Sequence, residues 1–241
     1  MKKYYPRQID GVLLLDKPIG ISSNQALQKI KHLFQAKKAG HTGTLDVLAS
    51  GLLIICFGKA TKLAGTLLNA NKSYQVTAKL GIKTTTCDAE GEVVATKPTD
   101  KITEELIESV LQKFRGEIMQ VPSMYSALKH KGTPLYKLAR QGIEVERKAR
   151  KVNIYKLELL DWHQDLLKLE VCCSKGTYVR NLIDDIGQAL GCGAYVAELR
   201  RLSVGKFKTE QMCTIDQLKR SYEADGLAAI DVKILPMEVL T

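Results

Sequence analysis

Twelve consecutive residues, Gly40-His41-Thr42-Gly43-Thr44-Leu45-Asp46-Val47-Leu48-Ala49-Ser50-Gly51, hold three glycines, a histidine and one carboxylate. Asp46 is the only acidic residue between Asp16 and Asp88, in a stretch otherwise rich in lysine. A solitary carboxylate in a basic loop is placed to meet an anionic substrate, as a nucleophile or as a stabiliser of developing positive charge. The glycines would let the backbone approach another molecule closely. Spacing alone also permits a plainer role, since Asp often closes a turn or caps a helix.

The elements needed to present this loop are legible around it. The apolar run 11–15, ended by Asp16-Lys17-Pro18, predicts a buried strand and a turn. Ser22 and Ser23 can cap a helix over residues 24–34. The run 52–57 predicts a second buried strand and residues 61–68 a short helix. From Tyr74 to Leu80 apolar and polar residues alternate, the pattern of a half-exposed strand. Residues 88–91 predict a turn and 92–95 a returning strand. Thr103 is placed to cap a helix over 104–114, with Leu106, Ile107, Val110, Leu111 and Phe114 inward. Two strands are expected at 152–160 and 166–172, with a turn at 161–164, then a helix over 178–190. Residues 195–200 and 202–207 read less clearly, and the tail 216–241 reads as helical at first.

Residues 120–151 differ from the rest. They carry Pro122, Pro134, Gly132 and Gly142, few bulky apolar side chains, and many cations, among them Lys129, Lys131, Lys137, Arg140, Arg147 and Lys148. A short helix at 135–140 fits inside this segment. A basic excursion of this kind suits a phosphate backbone. The whole chain agrees in sign: 36 basic against 26 acidic residues in 241, a net charge of +10. No run approaches the roughly 20 apolar residues of a membrane-spanning helix, and residues 1–7 lack the apolar core of a signal peptide. Six cysteines show no C-x-x-C spacing, which argues against zinc and for a reduced, cytoplasmic protein.

The string "GHTGTLDVLASGLLIICFGKATK" resembles the catalytic signature of the TruB family of tRNA pseudouridine synthases. Further blocks match in the family's order: "GVLLLDKPIGISSN", "SYQVTAKLG", "VPSMYSALK", "CSKGTYVRNLIDDIG" and "GCGAYVAELRRLSVGKF". Together they cover nearly the whole chain. Thr44, Val47 and Ser50 depart from the family's usual Ala, Pro and Thr, which touches loop geometry more than the reactive group.

The resemblance implies an α+β pseudouridine synthase fold with a mixed, largely antiparallel sheet. It implies a catalytic domain over 1–215 with an RNA-clamping insertion at about 120–151, and a helical tail over 216–241 where the family's PUA domain would begin. It makes Asp46 the catalytic carboxylate, Tyr74 the aromatic that stacks on the target uracil, and Arg180 the partner of Asp46. His41 is implied to fill space beside a flipped-out nucleotide, and Tyr178 to line the pocket. Lys17, Lys62 and Lys129 are candidate RNA contacts, the first two equally candidate structural contacts. The expected partner is the T-arm of tRNA, with uridine 55 as target, no protein partner and a monomeric state. The isomerisation removes and adds nothing, so no metal or redox cofactor is expected. Two other classes compete. A non-catalytic RNA-binding protein or tRNA folding chaperone would not need Asp46, Tyr74 and Arg180 together. A metal-dependent nucleoside hydrolase would need clustered carboxylates, and Glu104-Glu105 and Asp184-Asp185 sit in helical patterns without a D-x-D partner. The guide-RNA-dependent branch of the same superfamily is a nearer alternative, disfavoured by the short chain.

Overall fold

The computed structural model describes residues 6–126 and 128–240. The expectation for the extreme N-terminus thus falls largely outside the described residues, as does residue 127 within the "VPSMYSALK" block. The described residues form two compact units, one drawn from the stretches before residue 75 and after residue 198, the other from residues 75–198.

In the first unit the strand Ala49–Phe57 is central. It pairs antiparallel with Gly11–Lys17 along that strand's full length, from Gly11 opposite Phe57 to Lys17 opposite Gly51. It also pairs antiparallel with Ala39–Thr42, and its first residues pair in parallel with Leu199–Arg201. Leu13, Leu15, Leu53 and Ile55 are as fully buried as Val12, Leu14, Leu52 and Ile54. Burial on both faces explains why these segments read as continuous apolar runs without alternation. The helix Ser23–Leu33 starts at Ser22, whose side chain accepts from Gln25 N while the Gln25 side chain accepts from Ser22 N. This reciprocal cap satisfies two otherwise orphaned donors, and Ala26, Leu27 and Ile30 face inward.

The single helix expected at 61–68 is instead a 3-10 segment, Gly58–Lys62, followed by the short helix Ala64–Asn69. Gly58 has φ +51°, and an added Cβ there would collide with Asp10 and Ile9 O. The chain therefore turns tightly before it can wind into an α-helix. Ala39–Thr42 was expected as loop; its two glycine-flanked polar residues hide a strand that exists only because Ala49–Phe57 offers it an edge. The tail helix Ile215–Asp231 is interrupted at Gly226, φ +72°.

In the second unit Arg150–His163 and Leu166–Cys173 form a long antiparallel hairpin, and Gly116–Gln120 adds to the outer side of Arg150–Ile154. The hairpin turn is only Gln164 and Asp165, with Gln164 at φ +54°. The expected turn at 161–164 is therefore displaced: Asp161-Trp162-His163 stay paired, opposite Lys168 to Leu166. Lys72–Leu80 alternates in burial along its whole length, as its sequence pattern does. Helix Glu104–Lys113 is capped by Thr103 and buries Ile107, Val110 and Leu111. Leu106, expected inward, is 36% exposed, one position off the buried stripe. Helix Val179–Ala189 passes close to Ala194: a Cβ on Gly187 would strike its backbone nitrogen. Among the described residues no helix is long and apolar enough to cross a membrane.

Candidate active site

Asp46 stands in the six-residue connection between Ala39–Thr42 and Ala49–Phe57, half-buried. The connection is held from several directions. The Ser23 hydroxyl, itself 1% exposed, accepts from Leu45 N at 2.7 Å and lies 3.0 Å from Leu45 O, to which it donates. Gly20 N donates to Val47 O at 2.9 Å, and Ala49 N to Asp46 O at 3.2 Å. Leu45 and Leu48 are buried on either side of the carboxylate-bearing residue. Arg201, 1% exposed, donates from Nη2 to Gly43 O at 3.1 Å and from Nε to Leu52 O at 2.7 Å. Gly43 (φ +75°) and Gly51 (φ +99°) let the chain come this close; an added Cβ at Gly51 would collide with the Arg201 backbone. Asp46 is thus presented on a fixed frame, not on a mobile tip.

His41 lies on the strand leading into this connection, opposite Ile55. Its Nδ1 is sealed from solvent with no hydrogen-bond partner among the described residues. Burial, reinforced by the positive charge of Arg201, lowers its pKa, so the imidazole is neutral at pH 7. Tyr74 is 8% exposed, on the buried side of its strand. Lys17 is wholly buried at the end of its strand, its ammonium donating to Pro18 O at 2.8 Å and Ile21 O at 2.7 Å. Of the two roles open to Lys17, those bonds are the structural one. Lys62 is exposed at the end of the 3-10 segment.

The remaining candidates belong to the second unit. Arg180 sits in the first turn of Val179–Ala189 and is 7% exposed, not the surface arginine that a helix start would suggest. Its Nη1 donates to Asp88 Oδ2 at 2.9 Å, and its Nη2 to Tyr125 O at 2.9 Å. Asp88 is 1% exposed; its other oxygen accepts from Thr86 Oγ1 at 2.5 Å and Glu90 N at 3.1 Å. Three hydrogen bonds, spread over both oxygens, satisfy most of this carboxylate's acceptor capacity, which is what makes a buried ion pair tolerable. Tyr178 is the N-terminal flanking residue of the helix, half-buried, and the Gln120 side chain clamps its backbone: Tyr178 N to Oε1 at 2.8 Å, Nε2 to Tyr178 O at 3.1 Å. Lys129 is exposed on the small hairpin of Lys129–His130 with Thr133–Pro134.

Sequence reasoning missed Ser23, Arg201, Asp88 and Gln120 as supporting groups. Asp88 and Arg180 are 92 positions apart, and no spacing rule connects them. Ser23 carried a signal but a misleading one, since a helix cap was its expected use, and Ser22 takes that role instead.

A model of the N-terminal domain of TruB family pseudouridylate synthases matches residues 31–179, more than half of the chain. The chain belongs to the TruB family. A second model, the C-terminal domain of tRNA pseudouridylate synthase B, matches residues 180–241 of this TruB protein. It is similar to the tRNA pseudouridine synthase B of Coxiella burnetii (strain Dugway 5J108-111), 56% identical over 238 residues, covering 99% of this chain and 77% of the relative. It is also similar to that of Aeromonas salmonicida (strain A449), 52% identical over 243 residues, covering 98% and 76%. Among solved structures it resembles a chain of a Cbf5-Nop10-Gar1 complex, TM-score 0.74 and 33% identity, covering 95% of this chain and 61% of that one. A chain of an H/ACA RNP bound to a substrate RNA gives TM-score 0.72 and 31% identity, with 95% and 60% covered. The TruB chain thus spans about three fifths of those solved chains. Its fold is the α+β pseudouridine synthase fold, with mixed sheet and flanking helices.

Proposed function

We propose that this TruB protein isomerises uridine 55 in the T-arm of tRNA to pseudouridine. The observation that carries the proposal is the family membership, combined with an aspartate at the signature position on a loop fixed through Leu45, Val47 and Gly43. The reaction breaks N1–C1′ of uridine and joins C5 to C1′. The C5 proton leaves as N1 acquires one, so the product is an isomer. Asp46 is assigned as the carboxylate that attacks or stabilises the reacting carbon, a role that a fixed frame favours, because misplacement by about 1 Å can cost about a hundredfold in rate. Tyr74 is assigned to stacking on the uracil and assisting proton removal at C5. Arg180 supplies a positive charge that keeps a carboxylate ionised when water is excluded, and Tyr178 lines the pocket beside it in sequence. His41, neutral, fills space beside the extruded nucleotide without adding charge.

The tRNA substrate class is favoured over a guide-RNA system by degree of likeness. The relatives at 52–56% identity are named tRNA pseudouridine synthase B, whereas the H/ACA structures stand at 31–33%. The exposed cations Lys129, Lys131 and Lys148 are assigned to the tRNA backbone, and Lys62 joins them on the first unit. The test is tritium release from C5-labelled uridine in unmodified tRNA. Asp46→Asn should abolish release while leaving tRNA affinity within about threefold, since it removes one charge and no volume. Near-normal turnover by Asp46→Asn would refute the assignment, and loss of tRNA binding with turnover intact per bound complex would favour an RNA-binding role alone.

A further inference from the structure

Four lysines from two separate stretches meet around one concavity of the first unit. Lys37 and Lys38 stand just before the strand Ala39–Thr42, and Lys59 and Lys62 lie in the 3-10 segment Gly58–Lys62. With Ile9 and Asp10 they line an open hollow of about 250 Å³, and all four are exposed. Lys59 and Lys62 are three residues apart, the spacing at which side chains of a 3-10 helix stand on the same side. The backbone beneath them is tied together. Lys37 N donates to Arg7 O at 2.9 Å, Gly58 N to Lys38 O at 3.0 Å, and Lys59 N to Asp10 Oδ1 at 2.6 Å. The two lysine-bearing stretches therefore keep a fixed spacing.

The charge of this group is mostly uncompensated. Asp10 is the one acidic residue among those that line the hollow. Its Oδ1 is taken by the Lys59 N–H, and its Oδ2 lies 3.7 Å from the Lys59 ammonium. Among the described residues Lys37, Lys38 and Lys62 form no ion pair, and their ammonium groups make no hydrogen bond. Four cations held around one carboxylate repel one another, and a ligand with repeated negative charges relieves that repulsion while releasing counterions.

We propose that this hollow is a second grip on RNA, taking phosphates of the tRNA backbone outside the nucleotide that meets Asp46. The proposal rests on the tRNA assignment above and adds Lys37, Lys38 and Lys59 to Lys62 as contacts. Placement supports it. At about 3.3 Å per residue, the strand Ala39–Thr42 carries the chain about 13 Å from Lys38 to Thr42, where the connection bearing Asp46 begins. One bound RNA strand can reach from the hollow to that connection. The residue type fits the same task, since lysine meets phosphate as a point charge on a flexible stem. Such contacts fix position and add affinity without reading bases.

The experiment has two arms. In the first, the protein is treated with an amine-acylating reagent, with and without saturating unmodified tRNA, and each lysine is followed by mass spectrometry. Bound tRNA should slow acylation of Lys37, Lys38, Lys59 and Lys62 severalfold. In the second, filter binding is measured across a salt series, with circular dichroism to confirm folding of each variant. Lys37→Gln with Lys38→Gln should lower the salt slope by about 1.4–1.8, at about 0.7–0.9 per phosphate contact, and so should Lys59→Gln with Lys62→Gln. A control of equal charge loss in the same unit, Lys219→Gln with Arg220→Gln on the tail helix, should change the slope by less than about 0.5. Both arms are repeated on Asp46→Asn, so a failed catalytic assignment leaves the result readable. Unchanged acylation of the four lysines in a protein that binds tRNA overturns the proposal, and so does a slope loss no larger than the control's. If the wild type binds no tRNA, the tRNA assignment fails and this grip falls with it.

Discussion

Arg180 Nη1 stands 2.9 Å from Asp88 Oδ2, with the two side chains 8% and 2% exposed. The pair is bound into the backbone on both sides, through Tyr125 O and Glu90 N. Removing one partner of such a pair strands the other charge in a low-dielectric site. Asp88→Ala should therefore lose about 3–5 kcal/mol of stability, and Arg180→Met a comparable amount. The double variant should lose clearly less than the sum, because neither charge is then left unpaired. Urea denaturation of the four proteins measures this; strict additivity would mean that the pair contributes nothing as a pair.

Ser23 holds the residue that precedes Asp46, since its hydroxyl both donates to and accepts from Leu45. Ser23→Ala takes this partner from both the N–H and the C=O of Leu45, a cost of about 1–3 kcal/mol. If the loop frame matters to the reaction, single-turnover isomerisation should slow by about 10–100-fold while tRNA affinity changes by less than about twofold. Ser23→Thr, which keeps the hydroxyl, should recover most of the rate. Equal losses in rate and affinity would show general damage instead of displaced geometry.

The exposed cations of the excursion divide by their contacts. Arg147 is committed to Glu144 and Pro122 O, and Lys151 to Glu117 at 2.9 Å. Lys129, Lys131 and Lys148 are exposed. Changing those three to alanine should lower the salt dependence of tRNA binding by about two units of slope, at about 0.7–0.9 per phosphate contact. A filter-binding series between low and moderate salt reads this directly, and an unchanged slope would remove the excursion from the RNA interface.

Asp185 has its pKa raised to about 6, chiefly by burial and secondarily by the neighbouring Asp184 charge, with Lys83 opposing. The folded chain therefore holds this proton between about pH 4 and 6 where the unfolded chain has released it. Stability contributed by the neutral carboxyl is present below the unfolded value and declines as pH rises through about 6. Asp185→Asn should leave the unfolding free energy from urea titration unchanged near pH 3.5 and raise it at pH 8, by about 1–3 kcal/mol at about 1.4 kcal/mol per unit. A benefit that is the same at both pH values would place its origin elsewhere.

Local chemistry made much of this molecule readable. The apolar runs at 11–15 and 52–57, the alternation from Tyr74 to Leu80 and the capped periodic helix after Thr103 each became the element expected, because burial acts residue by residue on a regular period. The loop around Asp46 stood out by composition alone. What tertiary structure decided is how those groups are held. Ala39–Thr42 became a strand through a neighbour's free edge, and the hairpin turn shrank to Gln164-Asp165 because pairing with Leu166–Cys173 persists to His163. Arg180 acquired Asp88 across 92 positions, and Asp46 acquired a frame from Ser23 and Arg201. Such contacts follow from register and chain crossings, and long-range register leaves no periodicity in the sequence for a local pattern to reveal.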